Sequence, residues 1–479
     1  MKRWTALPGL LLLSLAACKT TGVIVTGGGG QGDTPASEQS EVSLNVSNIV
    51  GAKQIITATY NDGTGNDATI LYTNTTRKIL KGASLFGWSY STDGGVSWTY
   101  GGKVLPPAGW SVLWGDPAIT RSHLDQRYVF LSNLAMPDSK FPAGGISGTV
   151  GAANMGGACI ARSQDGGVTF QNYQCISNNN HFYDGGHMAA GTGGEIYAAY
   201  WDTVTKQIDI WKSPDQNGVF ALMPAPFPGF GIVTHARIRV DVSSGDLYVA
   251  AERSNGFVIA NRFHNNAWQS PVTASAFVVP VFPTLQLSDR KLRTGPQFSF
   301  DVGAESVLGN DAVRFVYTVQ DDATKRFYVR GTFCPRDLSA CFDAPEWGTT
   351  PGNLSLTGDQ FNPIVRAFPG FIGLEPLWKL SYETRQNDPK GNQVAIYQGN
   401  LAVIGNGVRI MLPFPLIDNQ LVCGDNRGYW GDYDDMQLRG FTDQLSPIFI
   451  RSFTDSRQGC QKQWEFTSHH VHVSSATVQ

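Results

Sequence analysis

Apolar residues along this chain recur in short runs, not at helical spacing. Runs at 53–60, 195–200, 246–251, 313–319 and 393–397 alternate or are rich in β-branched and aromatic residues. Gly, Asn, Asp and Pro punctuate the stretches between them. This pattern predicts short strands joined by turns, and therefore an all-β fold.

Several runs are preceded by a further strand with a polar entry. These entries lie at 115–119, 186–189, 235–238, 295–298, 362–365 and 431–436. Their starts are separated by roughly fifty to seventy residues, the length of one propeller blade with its loops. An opening unit around 43–110 raises the number to seven. If the first and last segments share one ring-closing unit, the number is six. The expectation is a seven-bladed β-propeller, with a six-bladed ring as the alternative. Closure removes exposed sheet edges at the seam. The innermost strand of a blade starts at the mouth of the central channel. Asp116, His187, His235, Arg237, Gln297, Asn362 and Asp432 to Asp435 are thus expected to meet at one funnel.

A turn signature reinforces the repeat. Ser91-Thr92-Asp93-Gly94-Gly95-Val96-Ser97-Trp98 is matched by Ser163-Gln164-Asp165-Gly166-Gly167-Val168-Thr169-Phe170. A weaker copy runs from Ser213 through Asp215 and Gly218 to Phe220. The Asp can accept backbone N–H bonds across a tight turn, and the Gly pair supplies backbone angles that a β-carbon opposes. The final aromatic can pack over the turn. The motif resembles the Asp-box, or BNR repeat, of sialidase-like β-propellers. That resemblance implies a structural role on the rim for Asp93, Asp165 and Asp215.

The chain begins Met1-Lys2-Arg3, followed by an apolar stretch through Leu10 to Leu13 and then Leu15-Ala16-Ala17-Cys18. A basic start, a short apolar run and small residues describe a secretory signal, too short for an ordinary membrane span. Leu-Ala-Ala-Cys resembles the bacterial lipobox. The resemblance implies cleavage before Cys18, lipid on that cysteine, and, with Lys19 next, attachment to the outer membrane at its periplasmic face or the cell surface. The alternative is a plain signal peptide that contains Cys. Residues 1–17 form the expected signal peptide, 18–41 a Gly-, Thr- and Ser-rich tether, and 42–479 a single propeller domain. Six cysteines remain. Cys159–Cys175, Cys334–Cys341 and Cys423–Cys460 are the expected disulfides, suited to an oxidising compartment. The net charge is −3 and no basic patch stands out, so nucleic acid is not an expected partner. No phosphate-binding loop or zinc spacing points to a cofactor or metal. Calcium on Asp432, Asp434 and Asp435 is one open reading of that acidic segment.

Candidate chemistry lies at the funnel. Asp116 can face Asp432 or Asp434 across the ring. Two carboxyl groups about 5–9 Å apart would suit glycoside hydrolysis. Sialidases resembling this chain use a tyrosine with a neighbouring glutamate, and Tyr382-Glu383 is the local match. Neighbours in a strand face opposite ways, so a surface turn is the expected home for both. The same family clamps a substrate carboxylate with three arginines. Arg237, Arg293 and Arg366 are the candidates, with Arg237 or Arg239 facing inward. No Arg-Ile-Pro stretch occurs, in departure from that family. A closer resemblance is to secreted bacterial BNR-repeat proteins. It rests on Gly115-Asp116-Pro117, on Trp430-Gly431-Asp432-Tyr433-Asp434 and on Thr454-Asp455-Ser456-Arg457. It implies a polar funnel and no particular activity. Trp430, Tyr433, Trp378 and Trp114 are candidate stacking surfaces, and His187 and His235 candidate ligand-binding or structural histidines. His470 and His472 would share one face of a strand end. The first functional expectation is a cell-envelope lipoprotein that binds a glycan or protein. The alternative is a glycoside hydrolase using inward carboxylates Asp116, Asp432, Asp434 or Glu383.

Overall fold

The computed structural model describes residues 23–24, 39–49, 54–62, 70–72, 77–147, 156–177, 182–280, 284–286, 291–293, 298–303, 313–323, 325–344, 359–368, 377–385, 393–404, 408–411, 416–421, 436–441, 447–455 and 470–477. The fold is all-β. Among the described residues, seven sheets have four to six strands, and a three-stranded and a two-stranded sheet accompany them. Pairing is antiparallel except where Ala83–Ser84 meets Trp110–Leu113. One short 3-10 turn, Asp138–Lys140, is the sole helical element described.

The larger sheets follow the chain in order. Their first strands are Gln39–Asn48, Ala118–Arg121, Tyr183–Ala190, Val233–Val240, Phe298–Val302, Gln360–Phe368 and Met436–Phe441. We call these the inner strands of the first to seventh sheets. Each pairs antiparallel with the strand that follows it in its sheet. The seventh sheet is completed at its far edge by Val23–Ile24, which pairs with His470–Thr477. Val23–Ile24 and the start of Gln39–Asn48 fall in the stretch that composition assigns to the tether. Their β-branched and alternating residues find strand partners that a composition window does not reveal.

Burial explains why the second strands read as nearly continuous apolar runs. In Leu247–Arg253 every residue before the last is buried. Leu247, Val249 and Ala251 pack with Tyr197, Ala199 and Ile210 of the third sheet. Tyr248 and Ala250 point the other way, to Phe298, Phe300 and Phe315 of the fifth. The same division by parity sends Ala198 and Tyr200 to the second sheet and Tyr197 and Ala199 to the fourth. A strand covered on both faces cannot show the polar half of an alternating pattern. Trp378 belongs to such a core. It is fully buried with Val316, Val329 and Leu380, so it offers no stacking face, contrary to the sequence expectation.

Both full copies of the repeated turn are built alike. Asp93 Oδ1 accepts from the backbone N–H of Val96 at 3.0 Å and of Ser97 at 2.9 Å. Asp165 Oδ1 accepts from Val168 and Thr169, each at 3.0 Å. The Ser97 hydroxyl and N–H hold the Asp93 carboxyl well below the ordinary carboxylate range. In the weaker copy Asp215 accepts from Asn217 N–H at 2.6 Å, without the longer reach. The aromatic closing the second copy, Phe170, meets Trp88 of the first sheet edge-on at 5.4 Å. Trp88 Nε1 donates to Val168 O at 3.3 Å. The second turn therefore also joins two sheets.

Cys159 and Cys175 are directly opposed on paired strands and are bonded. Cys334–Cys341 closes the loop after Phe327–Cys334. Cys18 and the expected Cys423–Cys460 pair lie outside the described residues.

Gly167 is the tightest point of the turn contact. Its φ is 104°, and a Cβ there would overlap Thr57 Oγ1 of the first sheet. Thr57 Oγ1 itself donates to Gly167 O at 3.4 Å. Gly167→Ala is expected to destabilise the protein by about 1–3 kcal/mol, the range of strained backbone and overpacking. Urea denaturation of the variant checks this. An unchanged midpoint would remove this contact from the fold's essential joints.

Candidate functional site

The inner strands line one cavity of about 230 Å³, to which all seven large sheets contribute. Its wall carries Arg121, His123, His187, Arg237, Arg239 and Arg366. Asp301 is the single carboxylate among the described lining residues.

A repeated backbone irregularity aims these groups. The register shifts between Asp184 and Gly186, between Thr234 and Arg237, and between Phe361 and Ile364, in the third, fourth and sixth sheets. The first sheet has the same kind of shift between Ser40 and Ser43. At the corresponding points Asp116, Gly185, His235 and Asn362 have φ of 51°, 56°, 53° and 47°. Gly takes this left-handed conformation freely, and Asn, Asp and His adopt it more often than other residues do. A bulge of this type inserts one residue and turns the strand that follows. In the third and fourth sheets the residue two positions later, His187 or Arg237, then lines the cavity.

The left-handed residues are braced from behind. Asp116 N–H donates to Asn61 Oδ1 at 2.9 Å, and its Oδ2 accepts from Gly185 N–H at 3.1 Å. Asp116, just before the inner strand of the second sheet, thereby touches the first and third sheets beside their register shifts. His235 Nδ1 lies 3.1 Å from Glu252 Oε2, and Asn362 Nδ2 donates to Glu383 Oε2 at 3.2 Å. Glu252 and Glu383 are fully buried on the second strands of the fourth and sixth sheets. Tyr382 and Glu383 therefore occupy a central strand, not the surface turn expected for them. Tyr382 points into the core with Trp378 and Leu380, while Glu383 turns to Asn362. The opposite facing was legible; the burial was not.

His187, Arg237 and Arg366, expected to converge, do so, and Arg239 joins them. Arg239 Nη1 is 3.0 Å from His187 Nε2. A guanidinium has only donors, and Ile238 N–H also faces the ring, 3.4 Å from Nδ1, so donors surround the imidazole and favour its neutral form. Burial, then the Arg239, Arg237 and Arg366 charges, hold its pKa well below the ordinary histidine value. Arg239 also approaches Asp301, Nε to Oδ1 3.4 Å. Asp301 Oδ2 accepts Ala367 N–H at 2.8 Å. Arg366 is buried and donates to Met436 O and Val365 O, both at 2.7 Å, and to Ser299 Oγ at 3.4 Å. Two guanidinium groups are thus fixed in place before any ligand arrives.

Other expected site residues are placed differently. Asn362 lines the cavity, with Glu383 behind it. Asp116 and His235 sit beside lining residues without lining the cavity themselves. Arg293 lies on the two-stranded ribbon of Thr284–Gln286 and Lys291–Arg293, not on an inner strand. Trp114 is half-buried and packs against two core clusters. Trp430, Asp432, Tyr433 and Asp434 lie outside the described residues. So does Asp435, and with it the proposed calcium segment. Among the described residues no group of three or more His, Cys, Asp or Glu could hold a metal ion. Sequence reasoning missed Arg121, Asp301 and Glu252. Arg121 stands two residues beyond the 115–119 entry, on the face that strand alternation assigns to Ile119.

No protein-family model matches the chain, and no curated protein matches it. Solved structures similar to it include an α-L-arabinofuranosidase of Fusarium graminearum, at 11% identity and a TM-score of 0.42 over 96% of this chain and 98% of that one. An α-L-arabinanase of Penicillium chrysogenum gives 11% and 0.42 over 96% and 99%. A Hadza microbial sialidase gives 14% and 0.40 over 77% of this chain and 64% of its own. At these values the likeness assigns no activity to this chain.

The neutral His187 has a measurable signature. Unfolded imidazole titrates near pH ~6.5, and the folded value is lower. As pH falls below about 6.5, the unfolded state gains a proton that the folded state refuses, so stability declines until the folded pKa is reached. His187→Gln retains an acceptor for Arg239 and removes this titration. Its unfolding free energy is expected to fall less steeply between pH 7 and 5, by up to about 1.4 kcal/mol per pH unit. Equal slopes in urea titrations of both proteins would show that His187 is protonated in the fold.

Proposed function

We propose that this chain is a lipid-anchored envelope protein whose seven-bladed β-propeller binds an acidic glycan in its central funnel. The observation that carries the binding reading is the concentration of Arg121, Arg237, Arg239 and Arg366 around one cavity with a single lining carboxylate among the described residues. A carboxylate about 4 Å from one guanidinium gains roughly 4 kcal/mol at an effective dielectric of 20, before desolvation. Arginine also presents a planar fork suited to carboxylate, sulfate or phosphate.

Three observations support the ring. Successive inner strands touch one another along the chain. The inner strand of the seventh sheet touches that of the first. Val23–Ile24, from the other end of the chain, forms the last strand of the seventh sheet. The paired Asp93 and Asp165 turns support an Asp-box repeat in that ring. The anchor reading rests on Leu15-Ala16-Ala17-Cys18 alone.

A hydrolytic reading has one observation in its favour. Glu252 and Glu383 are buried carboxylates at equivalent places in two sheets, each hydrogen-bonded to a left-handed bulge residue. Bulges often stand beside active sites.

A glycan array read at low and physiological salt is expected to retain uronate-bearing or sulfated glycans and not neutral ones. Arg237→Gln should weaken retention by about 10- to 100-fold, the loss of one charge-assisted contact of about 1.5–3 kcal/mol. Neutral glycans bound equally well would overturn the acidic-ligand reading. Release of reducing ends from the bound glycan, abolished by Glu383→Gln, would establish the hydrolase instead. Cys18→Ser is expected to abolish palmitate incorporation and release the protein from the membrane fraction. Retention of both in the variant would refute the anchor.

A further inference from the structure

The cationic wall divides into two groups. Arg237, Arg239 and Arg366 are the charges that act on His187; Arg121 is not among them. Arg121 ends the inner strand of the second sheet, and its charge acts instead on His123, two residues on. Both Arg121 and His123 line the same cavity as the first group.

The two groups differ in how they are satisfied. Arg239 has His187, Ile238 O and Asp301; Arg366 has Met436 O, Val365 O and Ser299. Arg121 has no hydrogen-bond or carboxylate partner among the described residues, and its Nε is buried without one. The one lining carboxylate among the described residues, Asp301, is committed to Arg239 and to Ala367 N–H. Arg121 as a whole is partly buried, and a cation drawn out of water without a partner is costly to a fold and is tolerated where something outside the chain completes it.

We propose that Arg121 and His123 form a second anion subsite, and that the ligand of this cavity is a sugar carrying two separate anionic groups. One group engages Arg237, Arg239 and Arg366, and the other engages Arg121. This inference rests on the acidic-glycan reading and adds the second charge to it. His123 is exposed at the rim, where it can donate or accept beside the bound anion. Removal from solvent, then the Arg121 charge, lower its pKa, and a bound anion would reverse the second effect. Burial also lowers the Arg121 pKa, to about 10, so the guanidinium remains charged at neutral pH and available to the anion.

The test is calorimetric titration of the full mature protein with two ring sugars. Glucuronate carries one anionic group, on C5, and glucuronate 1-phosphate carries a second on C1, on the other side of the ring oxygen. Wild type is expected to bind the phosphate ester at least about tenfold more tightly. That ratio should fall to about one in Arg121→Gln and persist in Arg237→Gln, where both affinities drop. The unliganded Arg121→Gln protein should melt no lower than wild type, because a partly buried charge without a partner has been removed. Equal binding of the two sugars by wild type would overturn the second subsite and leave the acidic-glycan reading standing. Binding of neither would overturn both. A ratio unchanged in Arg121→Gln, with a lowered melting temperature, would make Arg121 a structural residue.

Discussion

Burial of both faces of each central strand is the constraint on which the site depends. Leu247–Arg253 divides its side chains between the third and fifth sheets, and Ile196–Asp202 between the second and fourth. Neither strand has an open solvent face on which to place a functional group. The inner strands are different. Each is paired along one edge only, and the seven together border the same cavity. Polar and charged side chains are affordable there because water or a ligand can meet them. The chemistry of the molecule is therefore concentrated where sheet packing leaves room.

The left-handed bulges turn that location into a geometry. Asp116, His235 and Asn362 occupy a backbone region that most side chains avoid. Each is held by a partner further back: Asn61 and Gly185 for Asp116, Glu252 for His235, Glu383 for Asn362. Strain of this kind persists only where its surroundings fix it. The buried carboxylates thus have a structural task independent of any catalytic one. They fix the bulges from which His187, Arg237 and Asn362 face or flank the cavity.

The parts of this arrangement that are local in sequence were legible. The Ser-x-Asp-x-Gly turns carry their own hydrogen-bond acceptors, and Cys159 and Cys175 flank one such turn at a spacing that opposed strands can bridge. The polar entries identified inner strands, because Gly-Asp-Pro and Asn-Pro stand where a bulge needs them. The orientations within those strands were less legible. A bulge adds one residue, so simple alternation counted from the strand start assigns the wrong face beyond it. Arg237 and Arg239 stand two apart beyond the bulge, in regular register, so alternation puts both on one face, and both line the cavity. Trp378 failed as a stacking surface for another reason. Its aromatic character is the same in a core as at a mouth, and only its neighbours Val316 and Leu380 decide between them. Arg293 lies on a short ribbon of two strands that pair with each other and not with an inner strand.

The electrostatics of the cavity follow from how its arginines are satisfied. A chain of net charge −3 has carboxylates to spare, yet among the described residues one lines this wall. His187 offers Arg239 a neutral acceptor beside the carboxylate of Asp301, and for Arg366 the backbone oxygens of Val365 and Met436 are neutral acceptors. Neutral acceptors satisfy hydrogen bonds without cancelling charge. Had Asp or Glu filled those positions, the guanidinium groups would be equally well held and the potential largely lost. The wall thus keeps its cations oriented and its field intact, and in a small, partly dry space that field acts at higher strength than on an open surface. Discrimination between acidic and neutral ligands then comes from this uncancelled charge more than from shape.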